Sequence, residues 1–212
     1  MTKDTLLYQL NEKRLSKEEI IALVQQLLQF PQLTFPLLEE VFRQDQQAES
    51  FNASWVFDHL MRKDLTLLLP YTEKYVEGLP NLKTESCMRP MAHVMELLTI
   101  ALFVNKQASF LKAIDSTQQE QMVTVAFDWL IGNYKVATKV FAMTSLFHLG
   151  TNFPWVRLEL RSIIEQQMVK SGQHTLKADL SHVPEGIYLV RLSSQGGTTY
   201  IERVIKIAHP PN

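Results

Sequence analysis

The chain has 212 residues, 46% of them hydrophobic and 20% charged, the composition of a globular protein large enough for one core, or one core with an appendage. Its formal net charge of −1 divides as −2 over residues 1–170 (17 basic, 19 acidic) and +1 over residues 171–212 (4 basic, 3 acidic). Neither part carries the basic excess of a protein that tracks phosphate backbones, and one cysteine, Cys87, excludes an intrachain disulfide and a cysteine-based zinc cluster.

The first residues, from Met1 to Glu19, are polar and mixed in charge. They hold no continuous apolar core of about 7–15 residues such as a secretory signal needs, which gives a cytoplasmic expectation. Ser16 with Glu19 is a capping-box pattern. Ile20, Leu23, Val24, Leu27 and Leu28 behind it fall on one helical face. Pro31 stops that helix, and a second starts near Thr34 with Leu37, Leu38, Val41 and Phe42 as its stripe.

The central stretch predicts helices over Ser50–Arg62 and Leu65–Glu77, closed by Gly78 and Pro80. A helix over Glu85–Val104 follows, with Pro90 read in its first turn. It is the most apolar window, but Arg89, His93 and Glu96 interrupt it, so it reads as a buried helix and not a membrane span. A short helix over Gln107–Ile114 comes next, then one capped by Ser116 or Thr117 and bearing Val123, Ala126, Phe127, Leu130 and Ile131. Val136–Leu149 is apolar nearly all round, which predicts a helix covered on most sides. Pro154 opens a last helix to about Val169. The segment Val56-Phe57-Asp58-His59-Leu60 recurs as Ala126-Phe127-Asp128-Trp129-Leu130, an offset of 70 residues, or two units of about 35 as in helical-repeat arrays. The expected fold is therefore mainly α: an α-α superhelix, a HEAT-like stack of antiparallel helix pairs over residues 1–170, with a small C-terminal antiparallel β-meander over 174–212.

The meander is read from a change of period after Ser171-Gly172. Lys177–Leu180, Gly186–Ser193 and Thr198–Ile207 alternate with period two and are rich in β-branched residues. Pro184-Glu185-Gly186 and Ser194-Gln195-Gly196-Gly197 are turn signals between them.

Eight residues are candidates for partner binding: Trp55, Asp58, His59, Arg89, His93, Glu96, Asp128 and Trp129. Arg89, His93 and Glu96 share a helical face, and Asp58 and Asp128 recur at matched positions in apolar surroundings. Each also has a plainer reading, as a satisfied core residue or as a helix cap; Asp58 could equally pair with Arg62 or Arg89. There is no phosphate-binding glycine loop, nucleophile elbow or paired-histidine zinc motif, so no catalytic residue, metal or cofactor is assigned.

Two resemblances add to this. Ala53-Ser54-Trp55-Val56, Leu69-Pro70-Tyr71, Leu79-Pro80-Asn81-Leu82-Lys83, Arg89-Pro90-Met91-Ala92, Phe127-Asp128-Trp129-Leu130 and Lys135-Val136-Ala137-Thr138-Lys139 resemble a group of small HEAT-like helical proteins of Bacteroidetes-type bacteria, over about residues 50–168. That resemblance implies a fold and no activity. Ala178-Asp179-Leu180-Ser181, Pro184-Glu185-Gly186-Ile187-Tyr188-Leu189-Val190-Arg191-Leu192 and Val204-Ile205-Lys206 resemble the latter part of the type IX secretion C-terminal sorting domain, over about residues 175–207. It implies export.

The leading functional expectation is a monomeric, non-enzymatic helical-repeat scaffold binding a protein or peptide on its concave face. One alternative is a HEAT-like DNA glycosylase or nucleic-acid-binding protein using Trp and Asp in a helical groove, against which the charge of −2 counts. The other is a secreted or outer-membrane surface protein sorted by its β tail.

Overall fold

The computed structural model describes residues 1–43, 48–170, 186–193 and 199–206. The chain divides into two compact units, Met1–Leu149 and Gly150–Asn212.

In the first unit the helices are α1 (Lys3–Asn11), α2 (Lys17–Leu27), α3 (Thr34–Val41), α4 (Ala48–Lys63), α5 (Thr72–Gly78), α6 (Glu85–Thr99), α7 (Ala108–Ala113), α8 (Ser116–Ile131) and α9 (Val136–Leu149). The Ser16–Glu19 capping box forms at the start of α2, and a second one starts α8, between Asp115 and Gln118. Helix α4 is the hub: α1, α2, α3 and α6 all pack on it. Ala53, Val56, Phe57, Leu60 and Met61 supply its inner face, each almost wholly buried. Helix α9 packs against α6 and α8, and α5 against α8.

Three rings make the centre of this core. Tyr75 of α5 stacks nearly parallel on Phe57, with centroids 6.4 Å apart and planes at 14°, and Phe42 meets the same Tyr75 at 6.3 Å. Gly78 is needed where Phe42 passes, because a Cβ there would lie 2.5 Å from the Phe42 ring. The Tyr75 hydroxyl donates to the Met91 carbonyl of α6 at 2.7 Å. Burial, with the Asp58 carboxylate adding to it, pushes the Tyr75 phenol well above its ordinary pKa.

Several expectations are corrected. Helix α1 was not read from the polar N-terminus; Thr2 caps it through the Thr5 amide, and Leu6 and Leu10 are its buried side. Leu65–Glu77 is not one helix. A 3-10 segment, Leu65–Tyr71, precedes α5, with Asp64 accepting from the Thr66 amide at 2.9 Å and Pro70 inside it. Pro70 has no N–H to give an α-helical ladder, and its ring crowds the preceding turn. Pro90 lies not in the first turn of α6 but in its interior, so the Ser86 carbonyl one turn earlier loses its amide; Ser86 is exposed, where solvent can take the place of that donor. Helix α6 then runs on through a π-helical segment, Ile100–Val104. Together, Glu85–Val104 is long and apolar enough to cross a membrane, and 67% of its apolar window is buried inside the protein. In α9, Val136 is exposed and Phe141 only half-buried, so that helix is not covered on every side.

The equivalence of the two matched segments is corrected too. Phe57 and Asp58 are fully buried, whereas their sequence counterparts are a half-buried Phe127 and an exposed Asp128. Helix α4 packs on α1, α2, α3 and α6, while α8 packs on α5 and α9. The matched segments both bury Val56 or Ala126 and Leu60 or Leu130, but they differ at the Phe and Asp positions and have different packing neighbours. Their likeness is that of two amphipathic helices. The result is a mainly helical fold.

In the second unit, α10 (Pro154–Lys170) is followed by β1 (Gly186–Ser193) and β2 (Thr199–Lys206). The strands pair antiparallel, from Gly186 with Lys206 to Ser193 with Thr199. The expected C-terminal β-meander is not seen: residues 1–170 contain no strand where they are described, and the described part of the tail is a two-stranded hairpin. The expected first strand, 177–180, lies outside the described residues.

Candidate functional site

The exposed side of α4 is a row at helical spacing: Phe51, Trp55, His59 and Arg62, each one turn beyond the last. Phe51 and Trp55 have ring centroids 6.1 Å apart, and Trp55 and His59 6.4 Å. Helix α6 runs alongside and presents Arg89 and His93, also one turn apart. Two guanidinium groups lie on this row: Arg14 over the Phe51 ring at 4.4 Å, and Arg89 over the Trp55 ring at 5.4 Å. Stacking of this kind holds a flat cation in place while its in-plane N–H groups remain able to donate.

Asp58 fastens the two helices beneath that row. Its side chain is fully buried, and its two oxygens serve different partners. Oδ2 accepts from Arg62 at 2.5 Å along α4, and Oδ1 meets His93 Nδ1 of α6 at 2.5 Å. A carboxylate oxygen can only accept, so the Nδ1 proton of His93 is the shared one and Nε2 is left for another partner. The His93 ring also packs against Phe141 of α9 at 4.8 Å. A buried carboxylate between an arginine and a histidine is costly to strip of either, and both helices keep their facing registers while it holds.

His59 sits half-buried beside this cluster. Desolvation, and then the positive charge of Arg62, hold its pKa below the usual histidine value. The sign follows from linkage. Below the unfolded-state value of about 6.5, the unfolded chain binds more protons at this position, so stability falls as pH drops below that value and recovers above it. His59→Gln should therefore gain thermal stability relative to the wild type as pH is lowered from about 7.5 to about 5.5. Calorimetric scans at the two pH values check this, and an unchanged difference between the two proteins would contradict it.

The expected residues divide as follows. Trp55, Asp58, His59, Arg89 and His93 come together on the α4–α6 side. Glu96 is one turn beyond His93 but buried. Asp128 and Trp129 belong to α8, Asp128 exposed and Trp129 buried in the core. Reading the sequence missed Arg14 and Phe51, and also Asn52, which ties α4 to the turn after α1. Asn52 Nδ2 donates to the carbonyls of Leu10 at 2.8 Å and Lys13 at 2.7 Å, and its Oδ1 accepts from the Leu15 amide at 3.0 Å. The available signal was an Asn inside an otherwise apolar helical stripe.

Elsewhere, a cavity of about 630 Å³ opens beside Phe42 and Gly78, with Glu39, Glu77 and Lys74 among its walls. It shares no residue with the α4–α6 row. Cys87 is buried, and no group of three or more His, Cys, Asp or Glu placed to hold a metal occurs among the described residues.

Residues 160–207 match the family of the secretion system C-terminal sorting domain. The match begins inside α10, earlier than the stretch from residue 175 that the resemblance covered, and takes in both strands of the hairpin. No curated protein and no solved structure matches the chain. A sorting tail of the type IX kind suggests secretion or surface localisation, and the cytoplasmic expectation has no support.

Proposed function

We propose that this is a secreted or surface-held helical binding protein. Residues 160–207 serve as its address, and the helices of the first unit are the cargo. The observation that carries the reading is the sorting-domain match. A tail of this kind is a receptor-read signal whose job is delivery, so the activity of the protein belongs to the part it delivers.

For that part, a non-enzymatic role fits best: binding a protein or peptide through the α4–α6 row. The support is chemical. Asp58, Arg62 and His93 are spent on one another, which suits a fixed recognition surface. A glycosylase-like reading has less behind it, since the carboxylate it would draw on at Asp58 is already engaged twice and fully buried. We further propose that the helical part folds without its tail. The test is a reporter carrying a secretory leader and ending in residues 160–207, made in a host with type IX machinery. The reading expects it in the medium or on the cell surface; retention in the periplasm at the level of a tail-less reporter would overturn it.

A further inference from the structure

We propose that the α4–α6 row is a receptor for an acidic peptide segment of a protein partner, gripped by Arg14 and Arg89. This rests on the partner-binding reading above and names the chemistry of the partner.

The first ground is local charge against global charge. Residues 1–149 hold 14 basic and 17 acidic residues, a net charge of −3. Yet this row gathers Arg14, Arg62 and Arg89, with His59 and His93 between them and Lys17 near enough to depress the His59 pKa. Its acidic member, Asp58, is buried and already shared by Arg62 and His93. Neither Arg14 nor Arg89 forms an ion pair with a carboxylate among the described residues, whereas Lys17 shares its charge with Glu18. Cations left over on an acidic unit make a confined positive patch. Such a patch suits a short anionic segment. A long polyanion would meet repulsion beyond the patch, because exposed charges act over roughly 8–10 Å at ordinary ionic strength.

The second ground is the way the cations are held. Arg14 and Arg89 lie on aromatic rings, so their guanidinium planes are ordered before any ligand arrives. A pre-ordered planar fork loses little entropy on taking a carboxylate in the two-pronged geometry, an advantage that a lysine lacks. The third ground is what lies between them. Phe51, Trp55 and the nearby Phe141 are half-buried rings that offer apolar contact to a peptide's aliphatic or aromatic side chains. The segment that fits therefore carries Asp or Glu flanking an apolar residue.

The experiment is panning of a short random-peptide library on the full chain, followed by titration of the enriched peptides by fluorescence anisotropy. Enrichment of Asp/Glu-containing peptides with an apolar residue is expected. Their binding should weaken roughly tenfold or more in Arg14→Ala and in Arg89→Ala. Arg89→Lys should bind more weakly than the wild type, because it keeps the charge and loses the fork. Circular dichroism confirms that the variants remain helical. Enriched peptides that are neutral or basic, or acidic ones that bind the arginine variants undiminished, would overturn this proposal and leave partner binding standing. Tighter binding of single-stranded DNA or a sulfated polysaccharide than of any enriched peptide would overturn it too. If no peptide is enriched and neither polyanion binds, the partner-binding reading falls with it.

Discussion

Phe57→Ala is expected to remove about 3–5 kcal/mol from the stability of the helical unit. The ring is fully buried at the centre of α4, the helix against which α1, α2, α3 and α6 all pack. It stacks on Tyr75, which in turn meets Phe42, so truncation opens a void against the Tyr75 ring. Relaxation into that void is hindered on one side by the tight passage of Phe42 over Gly78. Urea denaturation measures the loss. Phe141→Ala is the matched control: the same chemistry on a half-buried ring should cost clearly less. A loss below about 1 kcal/mol at Phe57 would mean the core is centred elsewhere.

Asn52→Ala is the second large effect, expected at about 2–4 kcal/mol. One buried amide side chain satisfies two carbonyls, of Leu10 and Lys13, and the Leu15 amide. Leu10 is in the last turn of α1, and Lys13 and Leu15 lie in the segment joining α1 to α2, so losing Asn52 leaves several backbone groups unpaired at once. Asn52→Asp separates hydrogen bonding from shape. It is nearly isosteric, but it sets an acceptor against the two carbonyls, so it should be no better than Ala. Recovery of wild-type stability by Asp in the same denaturation experiment would contradict the assignment.

How much of this was legible depended on the kind of signal. The amphipathic helices α2, α4 and α8 could be read because their stripes repeat at helical spacing, α9 because it is a long apolar run, and Ser16 with Glu19 gave one boundary. Helix α1 was missed because only Leu6 and Leu10 turn inward. The 3-10 segment before α5 was hidden because Leu65, Leu67, Leu68 and Leu69 look helical until Pro70 is weighed. The apparent repeat misled: Asp58 and Asp128 match as letters, yet one is buried between Arg62 and His93 while the other is exposed. Residue identity cannot say which face of a helix a neighbour will cover. Within the candidate site, Asp58 with Arg62 was visible as a one-turn pair on a single helix. Its bond to His93 joins two helices, and the stacking of Arg14 on Phe51 joins residues far apart in sequence; only packing could reveal either.

The central claim is that the end of this chain is an address for the helical unit before it. The most direct measurement gives the full chain and a chain lacking residues 160–207 the same secretory leader, in a host with type IX machinery. Medium, surface and periplasmic fractions are then compared by immunoblot. The full chain is expected in the medium or on the cell surface, with the shortened chain held in the periplasm as folded protein. Equal distribution of the two chains across those fractions would contradict it.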